Sequence, residues 1–519
     1  MSGPFDTSVT PAPRPVAGRR VSLVRVGFVL LVVAAFIAGG VRWTMAVISD
    51  VQAEQPVTAF APYVDVTLTP TLHFEDSTQQ PASHVILGFI VADSMYRCSP
   101  SWGTYYTLDA AARALDLDRR LVRLREIGGD ATVSFGGAVN DELATVCFDT
   151  GQLTSAYQDV IDRYDLRAID FDIEGAALGN VSANERRADA IRALQERNRE
   201  LRVWLTLPVA PFGLTAEGVA IVDLMLARGV RLDGLNVMTM NYGGARAPGM
   251  SMAEASTLAL TATWQQLDGA YRRAGVVKTQ EELWGMIAAT PMIGQNDIEA
   301  EVFTQKDARA LVRFAQDVGL GRISTWSANR DVSCGVAVDD RRVSNTCSGV
   351  SQEPLEFARI FGEGAREEPA GDPGETVARV DTAGRDDPRT SPYPLWRSAK
   401  AYEAESKVVW QGRVYQAKWY TQGDQPDAPV KNTWDTPWRY LGPVLESDRE
   451  AVRAVVPVAP GSYQRWSGER VYVAGDTVEH DKQVFRAKWW TQGESPRADP
   501  DQPYDHPWEY VGDIPMAGK

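Results

Sequence analysis

Between residues 60 and 361, short β-rich apolar runs alternate with longer stretches whose apolar positions recur at helical spacing. The runs 63–67, 85–92, 131–135, 168–174, 203–207, 234–240, 284–289 and 322–326 predict strands. Amphipathic segments such as 110–126, 183–198 and 252–274 predict the helices between them. Eight strands in β/α alternation over about 300 residues is the size and rhythm of a (β/α)₈ barrel. A doubly wound open sheet would show the same alternation, and strand count and length favour the barrel. The expected class is therefore α/β, a TIM-type barrel of residues 54–361 followed by two small all-β, aromatic-rich modules.

The flanks break this rhythm. Arg14, Arg19, Arg20 and Arg25 precede an apolar run from Val26 to Val41 that stops at Arg42, a basic region followed by an export-type hydrophobic segment. Residues 1–53 are read as a tail plus a signal or anchor segment, with cleavage and retention both open. The expected location is outside the cell, secreted or held at the membrane by this segment. Residues 362–392, rich in Gly, Pro, Glu, Asp and Arg, form a linker. Beyond it an internal repeat runs in constant register: Trp396, Tyr402, Tyr415, Trp419, Gly423, Pro426, Trp438 and Gly442 recur as Trp466, Tyr472, Phe485, Trp489, Gly493, Pro496, Trp508 and Gly512. It places modules at 393–444 and 461–514, joined by a linker at 445–460. Units of about 50 residues have small cores, and no catalytic carboxylate pattern recurs in both copies, so a tandem binding device is expected.

Composition narrows the partners. The 519 residues carry a formal charge of -15, which argues against nucleic acid or an anionic membrane surface as the main partner. The hydrophobic fraction of 44% allows a sizeable core. Cys98, Cys147, Cys334 and Cys347 stand singly, with no CxxC and no clustered His, so zinc spacing is absent and no metal or cofactor is expected. Export would make Cys98–Cys147 and Cys334–Cys347 the simplest disulfide pairing, and four buried thiols are the alternative. A monomer is expected.

The chemistry concentrates at Ile169-Asp170-Phe171-Asp172-Ile173-Glu174. Strand side chains alternate faces, so the three acids project together and the three apolar residues project oppositely. In a barrel those acids would rise in a row toward the C-terminal rim. Like charges in low dielectric raise at least one pKa, and a carboxyl protonated near neutral pH can act as a general acid. A solvated strand face with alternating acids fits poorly, because the opposite face is wholly apolar.

At these residues the chain resembles glycoside hydrolase family 18, the chitinases, whose fourth strand carries Asp-x-x-Asp-x-Asp-x-Glu. Asp170, Asp172 and Glu174 match the last three acids, while Arg167 replaces the first and Ala168 the following glycine. Arg167 lies in the outward phase, so the inward row survives. Ser134-Phe135-Gly136-Gly137 looks like the third-strand motif, whose glycines let backbones approach closely. Met238-Thr239-Met240-Asn241-Tyr242 resembles the sixth-strand motif, with Asn241 in place of the usual Asp. Tyr242 is then the expected partner of a substrate acetamido group, with Met240 and Asn241 as further contacts. Thr290-Pro291-Met292-Ile293-Gly294-Gln295-Asn296-Asp297 is similar to the seventh-strand loop and offers Asp297 as a substrate-binding acid. Ser324-Thr325-Trp326-Ser327 matches the eighth strand, whose Trp forms the floor under the sugar, with core packing as the bland reading of Trp326. Trp102 is a further candidate platform, with structural packing an equal alternative.

The resemblance implies a retaining, substrate-assisted hydrolysis of β-1,4 bonds in chitin and N-acetylglucosamine oligomers, in which the acetamido oxygen attacks the anomeric carbon. Glu174 would be the acid and then the base, Asp172 would hold the acetamido N–H, and Asp170 would tune Asp172. The repeats look like chitin-binding modules of carbohydrate-binding families 5 and 12, through Ala-Lys-Trp-aromatic-Thr-Gln-Gly at 417–423 and 487–493. Trp419/Tyr420 and Trp489/Trp490 are the expected sugar-stacking pairs, adjacent on a strand, so that one of each can pack inward while the other stays exposed. An endo-β-N-acetylglucosaminidase and a catalytically silent chitin-binding protein are the alternatives. The first is disfavoured by the modules and the second by the presence of Glu174 and Asp172.

Overall fold

The computed structural model describes residues 58–335, 343–363, 365, 386, 391–432, 434–448, 463–481, 483–496 and 507–513. The export-type segment and most of both linkers lie outside the described residues.

Each predicted strand is present: β1 in two pieces (Ala59–Phe60 and Tyr63–Asp65), β2 (His84–Ala92), β3 (Asp130–Gly136), β4 (Ala168–Asp172), β5 (Arg202–Ala210), β6 (Gly234–Met238), β7 (Ile287–Thr290) and β8 (Arg322–Ile323). From β2 to β8 each strand is hydrogen-bonded in parallel to the next. The pieces of β1 join the two ends of that order, Ala59–Phe60 pairing with β8 and Tyr63–Asp65 with β2. Helices α1 (Leu117–Glu126), α2 (Thr150–Tyr164), α3 (Val181–Arg197), α4 (Ala216–Ala227), α5 (Met252–Arg273) and α6 (Gln305–Val318) form the outer layer, and α7 (Glu356–Gly362) follows β8. Their starts are written in the sequence: Ser251 with Glu254, and Thr304 with Asp307, each form a capping box.

Outward strand residues make the main core. Ile169 and Phe171 of β4 are fully buried against the helices, Phe171 stacking on Phe135 at 5.3 Å and meeting Tyr157 edge-on at 5.1 Å. The inward residues lie in layers, as in barrel interiors. The lowest contains Trp204 with the Arg322 guanidinium 3.8 Å over its ring. The bare Gly234 faces them, where a Cβ would sit 2.1 Å from the Trp204 ring.

Several strands end earlier than expected, at Asp65, Asp172, Met238 and Ile323, and the seventh also starts later. Trp284 belongs to the short helix Gln280–Gly285 and not to β7, because Thr279 and Glu282 form a capping box that starts a helical turn there. Its ring packs on Trp264 at 6.0 Å.

The repeat folds as two small β units. In the first, Lys407–Trp410, Arg413–Ala417 and Trp438–Pro443 form an antiparallel sheet around Tyr402, Val408, Tyr415 and Trp438. In the second, Thr477–His480, Gln483–Ala487 and Trp508–Asp513 repeat this sheet, with Tyr472, Val478, Phe485 and Trp508 as its core. Even the bulge recurs, between Val414 and Tyr415 and between Val484 and Phe485.

Candidate active site

Above the Trp204 layer, the inward side chains of five strands converge on Asp170. Its Oδ2 accepts from Tyr63 Oη at 2.9 Å and Ser134 Oγ at 2.6 Å, and its Oδ1 from Thr206 Oγ1 at 2.7 Å. Asn236 Nδ2 in turn donates to Tyr63 Oη at 3.1 Å and Thr206 Oγ1 at 3.0 Å, and Thr290 Oγ1 donates to Asn236 at 2.8 Å. Asp170 is fully buried, and burial raises its pKa while these donors and the nearby Arg322 pull it back.

Asp172 comes next up the strand, in the same phase. Its Oδ1 is buried with no hydrogen-bond partner among the described residues. Burial first, then the charges of Glu174 and Asp170, hold its carboxyl well above the ordinary carboxylate range. Glu174 follows where the strand has ended but the backbone is still extended, just before the turn Gly175–Ala177. It is half-buried, and burial followed by the charge of Asp297 raises its pKa as well. Gly136 explains the glycine pair of β3: with φ +107°, its Cβ would lie 2.1 Å from the Asp172 carbonyl oxygen, and the Gly137 amide donates to that oxygen at 3.1 Å.

Asp172 and Glu174 open into a cavity of about 650 Å³ at the C-terminal rim, also lined by Phe89, Tyr105, Met240, Asn241, Asp297 and Trp326. Trp326 stacks on Phe89 at 5.4 Å and lies 6.1 Å from Tyr63, an aromatic wall beside the acids. On the far side Asn241 and Asp297 bind reciprocally: Asn241 Nδ2 donates to Asp297 Oδ2 at 2.6 Å, and the Asp297 amide donates to Asn241 Oδ1 at 3.0 Å. Glu301 fixes the turn that carries Asn241, accepting from the amides of Tyr242 at 2.9 Å and Gly243 at 2.8 Å. Disulfides Cys98–Cys147 and Cys334–Cys347 tie neighbouring loops, the second closing the loop that carries the cavity residue Asn345.

The comparisons with known proteins agree with this geometry. The barrel aligns with the catalytic domain of a hyperthermophilic chitinase from Pyrococcus furiosus at 32% identity and a TM-score of 0.52, covering 59% of this chain and 95% of that one. The chain belongs to the chitinase family of glycoside hydrolases. Other members include the probable bifunctional chitinase/lysozyme of Escherichia coli, 35% identical over 54% of this chain and 32% of its own length. Endochitinase 11 of Metarhizium anisopliae is 35% identical over 53% of each chain. This chitinase-family chain thus spans about a third and about half of those two relatives. Residues 465–509 match carbohydrate-binding module family 5/12.

Within this chitinase fold Asp172, Glu174, Met240, Asn241, Asp297 and Trp326 share one cavity, with Asp170 beneath them. Two expected residues lie elsewhere. Tyr242 is buried outside the cavity with its hydroxyl 3.3 Å from Ser256 of α5. The strand ends at Met238, and the turn beyond leaves Met240 facing the cavity and sends Tyr242 into the core. Trp102 is fully buried, and its indole N–H donates to Tyr164 at 2.8 Å, so packing is its role. Arg167 is exposed, ahead of the strand.

The sequence reading missed Tyr63, Phe89, Tyr105 and Asn236. Tyr63 was legible as an inward aromatic of the first strand; Phe89 was hidden inside a continuous apolar run. In the modules both members of each aromatic pair are exposed, Trp419 with Tyr420 and Trp489 with Trp490. The preceding strand ends at Ala417 or Ala487, so the pairs lie on a bend where strand alternation no longer applies. Trp434, also unpredicted, is the most exposed aromatic of the first unit.

Proposed function

We propose that the chain hydrolyses β-1,4 bonds between N-acetylglucosamine units of chitin by a retaining, substrate-assisted mechanism. The observation that carries this reading is the inward row Asp170–Asp172–Glu174, rising from a carboxyl held by three hydroxyl donors to two that open into the cavity, with burial raising the pKa of all three. Glu174, at the strand end and open to the cavity, donates its proton to the leaving glycosidic oxygen. The substrate's acetamido oxygen attacks the anomeric carbon, forming an oxazolinium. Glu174, now a carboxylate, takes the proton of the water that opens it. Asp172 has a free buried oxygen above Asp170 and accepts the acetamido N–H, which favours the charged intermediate. Trp326, on Phe89, supplies an apolar face for the reacting sugar.

The 393–444 and 461–514 units both bind chitin through their exposed aromatic pairs, and two linked sites raise effective concentration on an insoluble polymer. The disulfides and a polymeric substrate support a reaction outside the cell. Colloidal chitin incubated with residues 54–519 should yield N-acetylglucosamine oligomers, and Glu174→Gln should lower that rate by about 10²-fold or more. If neither protein releases sugar while both sediment with chitin, the chain is a binding protein and the enzymatic reading is wrong.

A further inference from the structure

The two β units are sequence copies, yet the first is built onto the barrel. Asp116, just ahead of α1, is buried and accepts from Tyr393 Oη at 2.8 Å, Lys407 Nζ at 2.6 Å and Arg119 Nε at 3.1 Å. Arg119, also buried, reaches the Pro443 carbonyl at 2.7 Å and both carboxylate oxygens of Asp448 at 2.9 and 3.0 Å. The Arg123 guanidinium lies 4.8 Å over the Tyr440 ring. Gly442 lets the surfaces close: at φ +141° its Cβ would fall 2.7 Å from both Cγ and the carbonyl oxygen of Arg119.

Charges buried this deeply are tolerated only when each finds its partner, so the contact demands a single docked geometry. The second copy lacks the means to make it. At the positions equivalent to Lys407 and Asp448, whose side chains form the buried ion pairs, it has Thr477 and Gly518. Residues 465–509, within the second copy, match the binding-module family.

We infer that the first unit is a polysaccharide-binding face fixed to the catalytic body, presenting Trp419, Tyr420 and Trp434 in one orientation to chitin chains being cut, and that polymer adsorption in general is left to the second unit. The inference rests on the chitinase reading. A tethered module contributes only effective concentration, which its twin can replace. A docked one holds its aromatic face at a fixed orientation to the barrel, which a tethered twin does not.

The test compares the full chain with two variants on the unit's side of the contact, Gly442→Leu and the double variant Lys407→Met/Asp448→Ala. Three quantities are measured: the rate of hydrolysis of insoluble chitin, the rate of hydrolysis of a soluble N-acetylglucosamine tetramer, and the fraction that sediments with chitin. Calorimetry reports whether the first unit and barrel unfold together. The expected result is one shared transition in the parent that splits in the variants. Insoluble-chitin hydrolysis should fall at least about fivefold, with tetramer hydrolysis and sedimentation little changed. The double variant guards against misfolding from the glycine change alone. Variants that separate in calorimetry yet cut insoluble chitin at the parental rate overturn the inference, as does a parent whose first unit and barrel unfold in separate transitions. A parent inactive on the tetramer overturns the chitinase reading instead.

Discussion

Asp297 sits where one charge can set the working pH range. Glu174 is pushed up first by burial and then by the Asp297 carboxylate across the cavity. A general acid acts only while protonated, so the rate falls as pH rises through its pKa, and a raised pKa extends activity to higher pH. Asp297→Asn removes the charge and leaves an oxygen that can still accept from Asn241 Nδ2. We expect the alkaline limb of kcat/KM to move to lower pH, with the acid limb less affected. Because Glu174 and Asp172 titrate as an interacting pair, the limb reports the pair. A profile that loses height without shifting would show that Asp297 acts by contact with substrate and not by charge.

At the level of elements, the ends of strands decide which residues reach the cavity. The alternation of β4 was legible because Asp170 and Asp172 lie inside a regular strand, and Glu174 keeps the phase in extended backbone. The same logic failed after β6, which stops at Met238, so counting alternate residues onward cannot place Tyr242. It failed again at Trp419–Tyr420, which begin two residues past the strand end at Ala417. Trp102 fell short for another reason: an indole near a barrel rim looks alike in sequence whether it faces sugar or core, and only its hydrogen bond to Tyr164 separates the two. If Tyr242 is a core residue, Tyr242→Phe should cost about 0.5–1.5 kcal/mol of stability by loss of its buried hydroxyl contact. The kcat/KM on chitin oligomers should stay within about threefold of the parent. A loss near 10²-fold with normal stability, the scale of removing a donor from a reaction centre, would return Tyr242 to the site.

Across the whole molecule, the repeat was plain in the sequence but its unequal use was not. Lys407 and Asp448 read as surface charges until their partners, Asp116 and Arg119, are seen some three hundred residues earlier in the chain. That contact has a distinct acid signature. Burial raises the Asp116 pKa, but Lys407 and Arg119 more than offset it and hold it at about 2, against 3.8 for an unperturbed Asp. A depressed carboxylate contributes stability that is complete above its unfolded pKa and is lost as pH falls through the folded value. The contribution should therefore fade between 3.8 and about 2. Asp116→Asn should remove it at every pH, costing about 2–3 kcal/mol at pH 7 because Lys407 and Arg119 lose their buried counter-charge. Urea unfolding at pH 7 and at pH 3 measures both effects. The parent and variant should differ most at pH 7 and converge toward pH 2, and a gap that stays constant across that range would mean the contact is held by packing and not by charge.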